Sequence, residues 1–351
     1  MTEFFGRNGN NTIPRKKRFY KKRWFKILLI VLILGMATGG WMMYKSGTTL
    51  SKISTKDGFL KSLWKSIPGV GSDQLQGQNE GQINVLLLGM RGTNMAGGGL
   101  LADTVMVAAI RPQENKVALI SIPRDLYVQD PGTSGQSKIN AVHALYEEKG
   151  EGKGIEAMKQ VVGETTGLPI HYAVRIDFIG FKELVDTVGG VDVYLDQPFS
   201  EPTQFEGENA QNFSLPAGKN HIDGQKALFF VRARYTSSDF DRAERQQIVL
   251  LSLKDKLFSL GTLADFGKVN NIMNVLGNDV RTDMDISEMK KFFEIANKIQ
   301  DPQVKQKVFD TSPEGLLYST KADTPEGKTY ILLPAGGNND RIHEACRNIF
   351  Q

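Results

Sequence analysis

The sequence predicts an α/β fold in which a mostly buried central sheet is flanked by helices and is preceded by one transmembrane helix. Three early segments, Ile83–Gly89, Thr104–Arg111 and Lys116–Ile122, are apolar almost throughout, which is typical of strands covered on both faces. Helical and strand patterns alternate after them, as in α/β proteins. The eighteen residues from Ile27 to Tyr44 carry no charge and are long enough to span a bilayer.

Charge at the N-terminus predicts how the chain is oriented in the membrane. Residues 1–23 hold eight basic side chains against one acidic side chain. Because basic segments stay in the cytoplasm, we expect a cytoplasmic tail at 1–23, a transmembrane helix at 24–44, a stem or linker at 45–81, and the rest of the chain outside the cytoplasm at the cell membrane. A cleaved signal peptide is the alternative, but the apolar run is long and lacks a small-x-small cleavage site.

Composition excludes two classes of function. The whole chain has a formal net charge of +4, and the basic tail accounts for more than all of it, so the remainder is slightly acidic. The sequence therefore predicts no general affinity for nucleic acid. The single cysteine, Cys346, excludes an internal disulfide and a multi-thiolate zinc site.

The predicted elements follow one another in a domain at 82–260. After the three strands come helices at about 139–149 and 154–166, a strand at Ile170–Ile176, and a helix at Phe178–Val188 that Asp177 caps. A strand at Val191–Leu195, a polar loop at 196–220, and helices at about 223–231 and 239–260 complete it.

The C-terminal extension, residues 261–351, carries a weaker pattern. It predicts helices near 286–299 and 339–349, with strands near 304–309 and 329–333. Periodicity favours an extension that completes the domain. A small appended domain is the alternative.

Arginine residues are the strongest chemical signal, because the sequence has no Gly-x-Ser-x-Gly, His-Glu-x-x-His or P-loop motif. Arg232 and Arg234 would point the same way in an extended chain. Arg242, Arg245 and Gln246 fall on one face of a helix, and Arg124 follows a buried strand. Guanidinium groups that converge indicate a phosphate or pyrophosphate ligand. Alternatively, each arginine pairs with a nearby acid on a solvated surface.

A series of short motifs resembles the LytR-CpsA-Psr family over about residues 83–255. The motifs are Leu86-Leu87-Leu88-Gly89, Ala102-Asp103-Thr104, Ser121-Ile122-Pro123-Arg124-Asp125, Lys138-Ile139-Asn140-Ala141, Asp177-Phe178-x-Gly180-Phe181, Val185-Asp186-x-x-Gly189-Gly190-Val191, Gly224-x-x-Ala227-Leu228, Arg232-x-Arg234 and Asp239-x-x-Arg242-x-x-Arg245-Gln246-Gln247. Nine short motifs in register make the resemblance specific.

The resemblance implies a transferase that moves a glycopolymer from a polyprenyl-pyrophosphate lipid to peptidoglycan, forming a phosphodiester. Its partners would be the lipid-linked glycan, peptidoglycan and membrane lipids. A hydrolase that releases the glycan to water, and a non-enzymatic module that binds lipid or glycan during wall assembly, remain open alternatives. Phosphoryl transfer requires charge neutralisation more than a covalent nucleophile.

Site residues follow from the same resemblance, position by position. Catalytic roles are expected for Asp103, Arg124, Arg232 and Arg242. Substrate binding is expected for Arg91, Arg234, Gln246, Lys138, Asn140, Asp239 and Arg245.

The sequence departs from the family pattern where a metal ion is expected. Family members commonly have Gly-x-Asp-x-Arg after the first strand, whereas this chain has Gly89-Met90-Arg91-Gly92. Mg²⁺ or Mn²⁺ would therefore have Asp103 as its one remaining carboxylate ligand, and losing a carboxylate weakens such a site. Either Arg91 supplies the positive charge itself, or Asp103 and substrate oxygens hold the metal alone.

Overall fold

A central mixed sheet organises the computed structural model, which describes residues 74–95, 98–205, 208, 212–259, 272, 276–277, 279–299, 302–324 and 327–351. The predicted α/β class is confirmed for these residues. The predicted tail and transmembrane helix, and the stem up to residue 73, lie outside them. Within the described ranges, no helix has both the length and the apolar character needed to cross a membrane.

The elements run along the chain in the order that follows. They are β1 (Ile83–Met90), β2 (Ala102–Arg111), β3 (Lys116–Ile122), β4 (Tyr127–Gln129), β5 (Gln136–Lys138), α1 (Ile139–Glu147), α2 (Lys153–Thr166), β6 (Tyr172–Asp177), α3 (Phe178–Thr187), β7 (Val191–Leu195), β8 (Phe199–Glu201), β9 (Phe213–Leu215), β10 (Gly218–Ile222), α4 (Gly224–Arg232), α5 (Asp239–Ser259), β11 (Val280–Thr282), α6 (Ile286–Ala296), β12 (Gln303–Val308), β13 (Leu317–Thr324), β14 (Gly327–Pro334) and α7 (Asp340–Arg347).

The six strands of the sheet lie in the order β11-β6-β1-β2-β3-β12. β1 pairs in parallel with β6 and β3 with β12, while the other three pairings are antiparallel. Strand β12 comes from the C-terminal segment, where Val304 lies opposite Val117 of β3. Residues 303–308 are therefore part of the central sheet.

One face of the sheet is tightly packed. Leu86, Val107 and Ile120 are completely buried on this face, and they share a core with side chains of α1, α2 and α7 such as Met158 and Ile342. Asp177 caps α3 as predicted, since its Oδ1 accepts hydrogen bonds from Ile179 N and Gly180 N, both at 3.0 Å.

The opposite face is covered by different elements. Met106, Ala108 and Leu119 point to this side, because side chains alternate along a strand. They pack with Leu250 and Leu251 of α5. Helices α3, α5 and α6 cover this face, and they leave space between themselves and the strands.

The predicted polar loop at 196–220 was wrong, because three short strands lie within it or begin there. β8 pairs with β9, and β10 pairs with β7. Phe213 and Leu215 are buried while Ser214 between them is exposed. An alternation this short is hard to detect within a polar stretch, and the short strands β4, β5 and β11 were missed for the same reason.

Candidate active site

An apolar cavity of about 740 Å³ lies between the sheet and helices α3, α5 and α6. Its walls are almost entirely hydrocarbon, with Leu87, Met106, Leu119, Leu250 and Phe292 among them. Its polar side chains include Arg91, Asp103, Arg124, Arg232, Arg234, Arg242 and Gln246. Arg91 and Arg124 follow the C-terminal ends of β1 and β3, and Asp103 lies near the start of the antiparallel β2. The charges therefore collect at one edge of the sheet.

A second, polar cavity of about 400 Å³ lies at that edge. It is lined by Arg91, Gly98, Gly99, Leu101, Asp103, Arg124, Asp125, Lys138, Asn140 and Arg234. Four of these residues also line the apolar cavity, namely Arg91, Asp103, Arg124 and Arg234. The same charged side chains thus border the apolar cavity on one side and the polar cavity on the other.

A β-bulge places Asp103 in the site. Gly89 pairs with Thr104, but the next residue of β1, Met90, pairs with Ala102, so Asp103 is the extra residue of β2. A bulge redirects the side chain of its unpaired residue away from the regular alternation. The carboxylate consequently lines both cavities, and its Oδ1 accepts a hydrogen bond of 2.8 Å from Arg124 Nη1.

Arg124 lies at the centre of a charge network. Besides its bond to Asp103, its Nε is 3.6 Å from Asp125 Oδ2 and 3.6 Å from Asp239 Oδ2. Burial alone lowers the pKa of Arg124, but the surrounding carboxylates of Asp103, Asp239 and Asp125 outweigh burial and raise it. The guanidinium is therefore held firmly as a cation.

Helix α5 contributes Arg242 and Gln246, which lie one turn apart on its cavity side. Arg242 is buried, and its Nη1 donates a 2.8 Å hydrogen bond to Asp239 Oδ1. Burial lowers its pKa, and Asp239 opposes that change. Asp239 thereby links Arg242 to Arg124.

Arg232 and Arg234 both line the apolar cavity, but the predicted extended geometry was wrong. Arg232 is the last residue of α4, and Arg234 follows after the helix ends. Arg232 makes two hydrogen bonds of 2.8 and 2.9 Å to the carboxylate of Glu208. Its guanidinium also lies 4.8 Å from the ring centre of Phe178 and 5.3 Å from that of Phe205. Ion pairing and aromatic contacts fix its orientation.

Lys138 and Asn140 enter the polar cavity from the start of α1. Lys138 Nζ donates a 2.6 Å hydrogen bond to Asp125 Oδ1. The Asn140 main-chain N–H donates to the carbonyl of Arg124 at 3.3 Å, which ties α1 to the loop after β3. Both residues therefore border the same space as Arg124.

Arg245 lies apart from the cluster. It is buried, and its guanidinium donates to the carbonyl oxygens of Phe230 (3.0 Å) and Ala233 and to Ser237 Oγ (3.0 Å). It lines neither cavity. Because α5 presents it to the end of α4, Arg245 positions the segment that carries Arg232 and Arg234; the structure gives the predicted substrate contact no support.

Two supporting residues were missed by sequence reasoning. Glu201 is completely buried, and its Oε2 accepts hydrogen bonds from the main-chain N–H groups of Tyr235 and Thr236 at 2.9 and 3.2 Å. Gly92 has φ of +88°, and a Cβ there would lie 2.7 Å from Asp177 Oδ2. Glu201 has no local signal, since it belongs to the supposed loop, whereas a glycine beside Arg91 does indicate a tight turn.

The described residues contain no group of three or more His, Cys, Asp or Glu side chains arranged to hold an ion. Asp103, Asp125 and Asp239 instead pair with Arg124, Lys138 and Arg242. A carboxylate already neutralised by a cation is a poor ligand for Mg²⁺, which relies on anionic oxygens.

Comparison with known proteins agrees with this architecture. The LytR_cpsA_psr family matches residues 47–331. A polyisoprenyl-teichoic acid–peptidoglycan teichoic acid transferase TagU from Oceanobacillus iheyensis is 31% identical over 291 residues, covering 78% of this chain and 82% of that protein. The TagU from Enterococcus faecalis is 29% identical over 274 residues, covering 77% and 82%.

A solved structure extends the likeness to the fold. The crystal structure of Bacillus subtilis TagV superposes with a TM-score of 0.56 at 25% identity, covering 76% of this chain and 96% of that one. The motifs, the match over most of the chain and the shared fold lead to one conclusion. This chain belongs to the LytR-CpsA-Psr family of enzymes.

Proposed function

We propose that the protein transfers a glycopolymer from a polyprenyl-pyrophosphate lipid to a hydroxyl group of peptidoglycan, with formation of a phosphodiester. The observation that carries this proposal is the pair of cavities that share Arg91, Asp103, Arg124 and Arg234. A lipid pyrophosphate has a long apolar tail joined to a dense anion. An apolar cavity ending at a cluster of guanidinium groups has the same two parts.

The charge of the cluster supports a pyrophosphate ligand. Six cationic side chains belong to it, namely Arg91, Arg124, Lys138, Arg232, Arg234 and Arg242, together with four carboxylates, Asp103, Asp125, Asp239 and Glu208. The cluster therefore has an excess of two positive charges. A pyrophosphate esterified at both ends carries about two negative charges at neutral pH, so ligand and site would neutralise each other.

The reaction that we assign to the site is an in-line displacement. The acceptor oxygen attacks the phosphorus bonded to the glycan, and the bond from that phosphorus to the bridging oxygen breaks. Polyprenyl phosphate leaves with the bonding electrons, and Arg124 and Arg242 stabilise its negative charge. Asp103 lies beside Arg124 and accepts the hydroxyl proton through Oδ2.

Arg91 has a specific role in this proposal, which is to provide the positive charge that a metal ion would otherwise supply. One aspartate together with one divalent cation has a net charge of +1, and one arginine has the same charge. The substitution therefore preserves the charge of the site without a metal. The pairing of Asp103, Asp125 and Asp239 with cations supports this account over metal binding by Asp103.

A charge-reversal experiment tests the role of Arg91. Wild-type turnover should persist in EDTA. Arg91→Ala should have a kcat about 10²–10³-fold lower than wild type, the usual effect of removing one electrostatic donor. Arg91→Asp should be inactive in EDTA and recover in part with Mg²⁺, because the ion restores the lost charge. Loss of wild-type activity in EDTA, with recovery in Mg²⁺, would reject metal-free catalysis.

Membrane attachment completes the proposal. Residues 24–44 would anchor the chain, with residues 1–23 in the cytoplasm and the domain on the outer side, where peptidoglycan and lipid-linked glycan meet. The basic tail and the uncharged stretch support this topology. Cysteines introduced one at a time at Ser72 and at Thr2, in a chain whose native Cys346 is replaced by Ala, are labelled with a membrane-impermeant reagent to test it: only the first should react in intact cells.

The main test uses the full-length protein in detergent with a lipid-linked glycopolymer, with and without peptidoglycan. Transfer predicts that glycan becomes covalently attached to peptidoglycan through a phosphodiester. Equal release of free glycan with and without peptidoglycan would indicate a hydrolase instead. Binding of the lipid with no covalent change would indicate a non-enzymatic assembly factor.

A further inference from the structure

The β13–β14 hairpin packs beside the segment that follows β3. Its strands pair from Leu317 with Pro334 at the base to Thr324 with Gly327 at the outer end. At the base, Leu332 N donates a 2.9 Å hydrogen bond to the carbonyl of Asp125, and Leu332 also bridges Leu126. The hairpin is thus attached directly to the loop that carries Arg124 and Asp125.

The two tyrosines of the hairpin lie on opposite faces. Tyr330 is two residues from Leu332, so both share one face, and Leu332 packs into the core with Leu317. Tyr318 is paired with Leu333, which belongs to the other face. The exposures are nearly equal, 46% for Tyr330 and 45% for Tyr318. The same hairpin therefore presents Tyr330 on the face that carries Leu332 and Tyr318 on the opposite face.

Electrostatics agree with this placement of Tyr330. Partial burial raises the pKa of its phenol, and the carboxylates of Asp125 and Asp239 raise it further. Both carboxylates are bound to the cation cluster. The hairpin's attachment to Asp125 and Leu126 and these electrostatic contacts together put Tyr330 near the carboxylates of Asp125 and Asp239.

Hydrogen-bonding groups lie on the same face of the hairpin as this ring and in the polar cavity. Lys321 lies directly opposite Tyr330 on the same face of the hairpin. The polar cavity adds Asp125, Lys138 and Asn140. An aromatic ring beside several donors and acceptors suits a pyranose, whose C–H groups pack on the negative ring face while its hydroxyls make hydrogen bonds.

We infer that Tyr330 is the stacking platform for a saccharide ring of the acceptor glycan. This inference rests on the proposed function, because it assigns the second substrate of that reaction. In-line displacement requires the attacking oxygen to approach opposite the leaving oxygen. The leaving group is the lipid phosphate, whose tail belongs to the apolar cavity. Asp125 lines the polar cavity and the hairpin is attached to Asp125, so the hairpin lies on the side where the acceptor must enter.

The test compares Tyr330→Ala with Tyr318→Ala, which removes an equally exposed tyrosine from the opposite face. Full-length enzyme is assayed with lipid-linked glycan and with soluble peptidoglycan glycan strands, each varied separately. Tyr330→Ala should raise the acceptor KM roughly tenfold, the effect expected from losing an aromatic contact, and leave the donor KM unchanged. Tyr330→Phe, which keeps the ring, should remain within about twofold of wild type, and Tyr318→Ala should match wild type.

Other outcomes separate the possible errors. An unchanged acceptor KM in Tyr330→Ala, in an enzyme that transfers glycan normally, would overturn the inference and leave the proposed function intact. A raised donor KM alone would place the ring against the donor glycan and also overturn it. Absence of transfer by the wild-type enzyme would instead overturn the proposed function. Thermal unfolding of each variant checks that the hairpin remains folded.

Discussion

The two faces of the central sheet are covered in contrasting ways. On one face, Leu86, Val107 and Ile120 are fully buried against α1, α2 and α7. On the other, Ala108 and Leu119 from the same strands border a cavity of about 740 Å³ beneath α5 and α6. Of two neighbouring residues in one strand, one therefore packs in the core and the other lines the cavity.

This difference shows a division of labour within one sheet. A filled core stabilises the fold, since burial contributes about 25 cal/mol per Å² of apolar surface. A cavity gives up part of that contribution, and a ligand that occupies it restores the lost contacts. We expect changes on the filled face to alter stability and changes on the hollow face to alter substrate binding and turnover.

The largest expected effect is on catalysis at the edge of the hollow face. Arg124→Ala removes the cation that Asp103, Asp125 and Asp239 surround, so the charge excess of the cluster falls. We expect kcat to drop by about 10²–10³. Lys153→Ala, which removes an exposed ion pair with Glu156, is the control and should retain full activity. Activity of Arg124→Ala near the wild-type level would show that the cluster does not act on the reacting phosphate.

An effect of about 3 kcal/mol is expected on the filled side, through His143. Burial first, and then the charge of Arg175, lowers the pKa of His143 from 6.5 to about 4. A histidine whose folded pKa is depressed favours the folded state fully above pH 6.5. Its contribution, about 3 kcal/mol from this difference, is lost as pH falls from about 6.5 to 4. Urea unfolding of wild type and His143→Gln at pH 7 and 4.5 measures it.

The variant should lose less stability between these two pH values than the wild type does. Equal losses would show that His143 does not carry the acid sensitivity. The variant also changes a structural contact, the 3.1 Å hydrogen bond between Nδ1 of the ring and the carbonyl of Leu100. The comparison therefore uses the difference between the two pH values, not the stability at either one.

The smallest effects come from a matched pair on β2. Val107→Phe adds bulk to the filled face and should lower the free energy of unfolding by about 1–3 kcal/mol, as overpacking does. Ala108→Phe adds bulk to the cavity and should change the free energy of unfolding by less than about 1 kcal/mol, while raising the donor KM by shortening the space for the lipid tail. Similar destabilisation by both variants would show that the two faces are equally packed.

Most of the central elements could be predicted from periodicity. Lys116–Ile122 and Val191–Leu195 have the predicted bounds, α3 starts at the predicted Phe178, and β6 ends one residue later than predicted. Long patterns succeed because a buried strand or an amphipathic helix repeats its signal several times. The hairpin containing Tyr318 and Tyr330 was recognised only in its second strand, since β13 is mostly polar.

The site was predictable in its members more than in its geometry. The motifs identified Asp103, Arg124 and Arg242, and the structure brings them together. They could not reveal that Asp103 is the extra residue of a bulge, because a bulge depends on the register between two strands. Nor could they separate Arg245 from Arg242. The two side chains leave the same helix in different directions, and the element that each one contacts depends on the tertiary packing.

The sequence by itself determined the class of fold, the charged residue types of the site and the family, because these depend on local periodicity and on short motifs. Only the tertiary structure decided that one sheet face is filled and the other hollow, and that Arg91, Asp103, Arg124 and Arg234 border two cavities at once. The physical reason is that empty space and shared walls arise where elements distant in the chain meet. A local pattern of residues does not contain the relative positions of such distant elements.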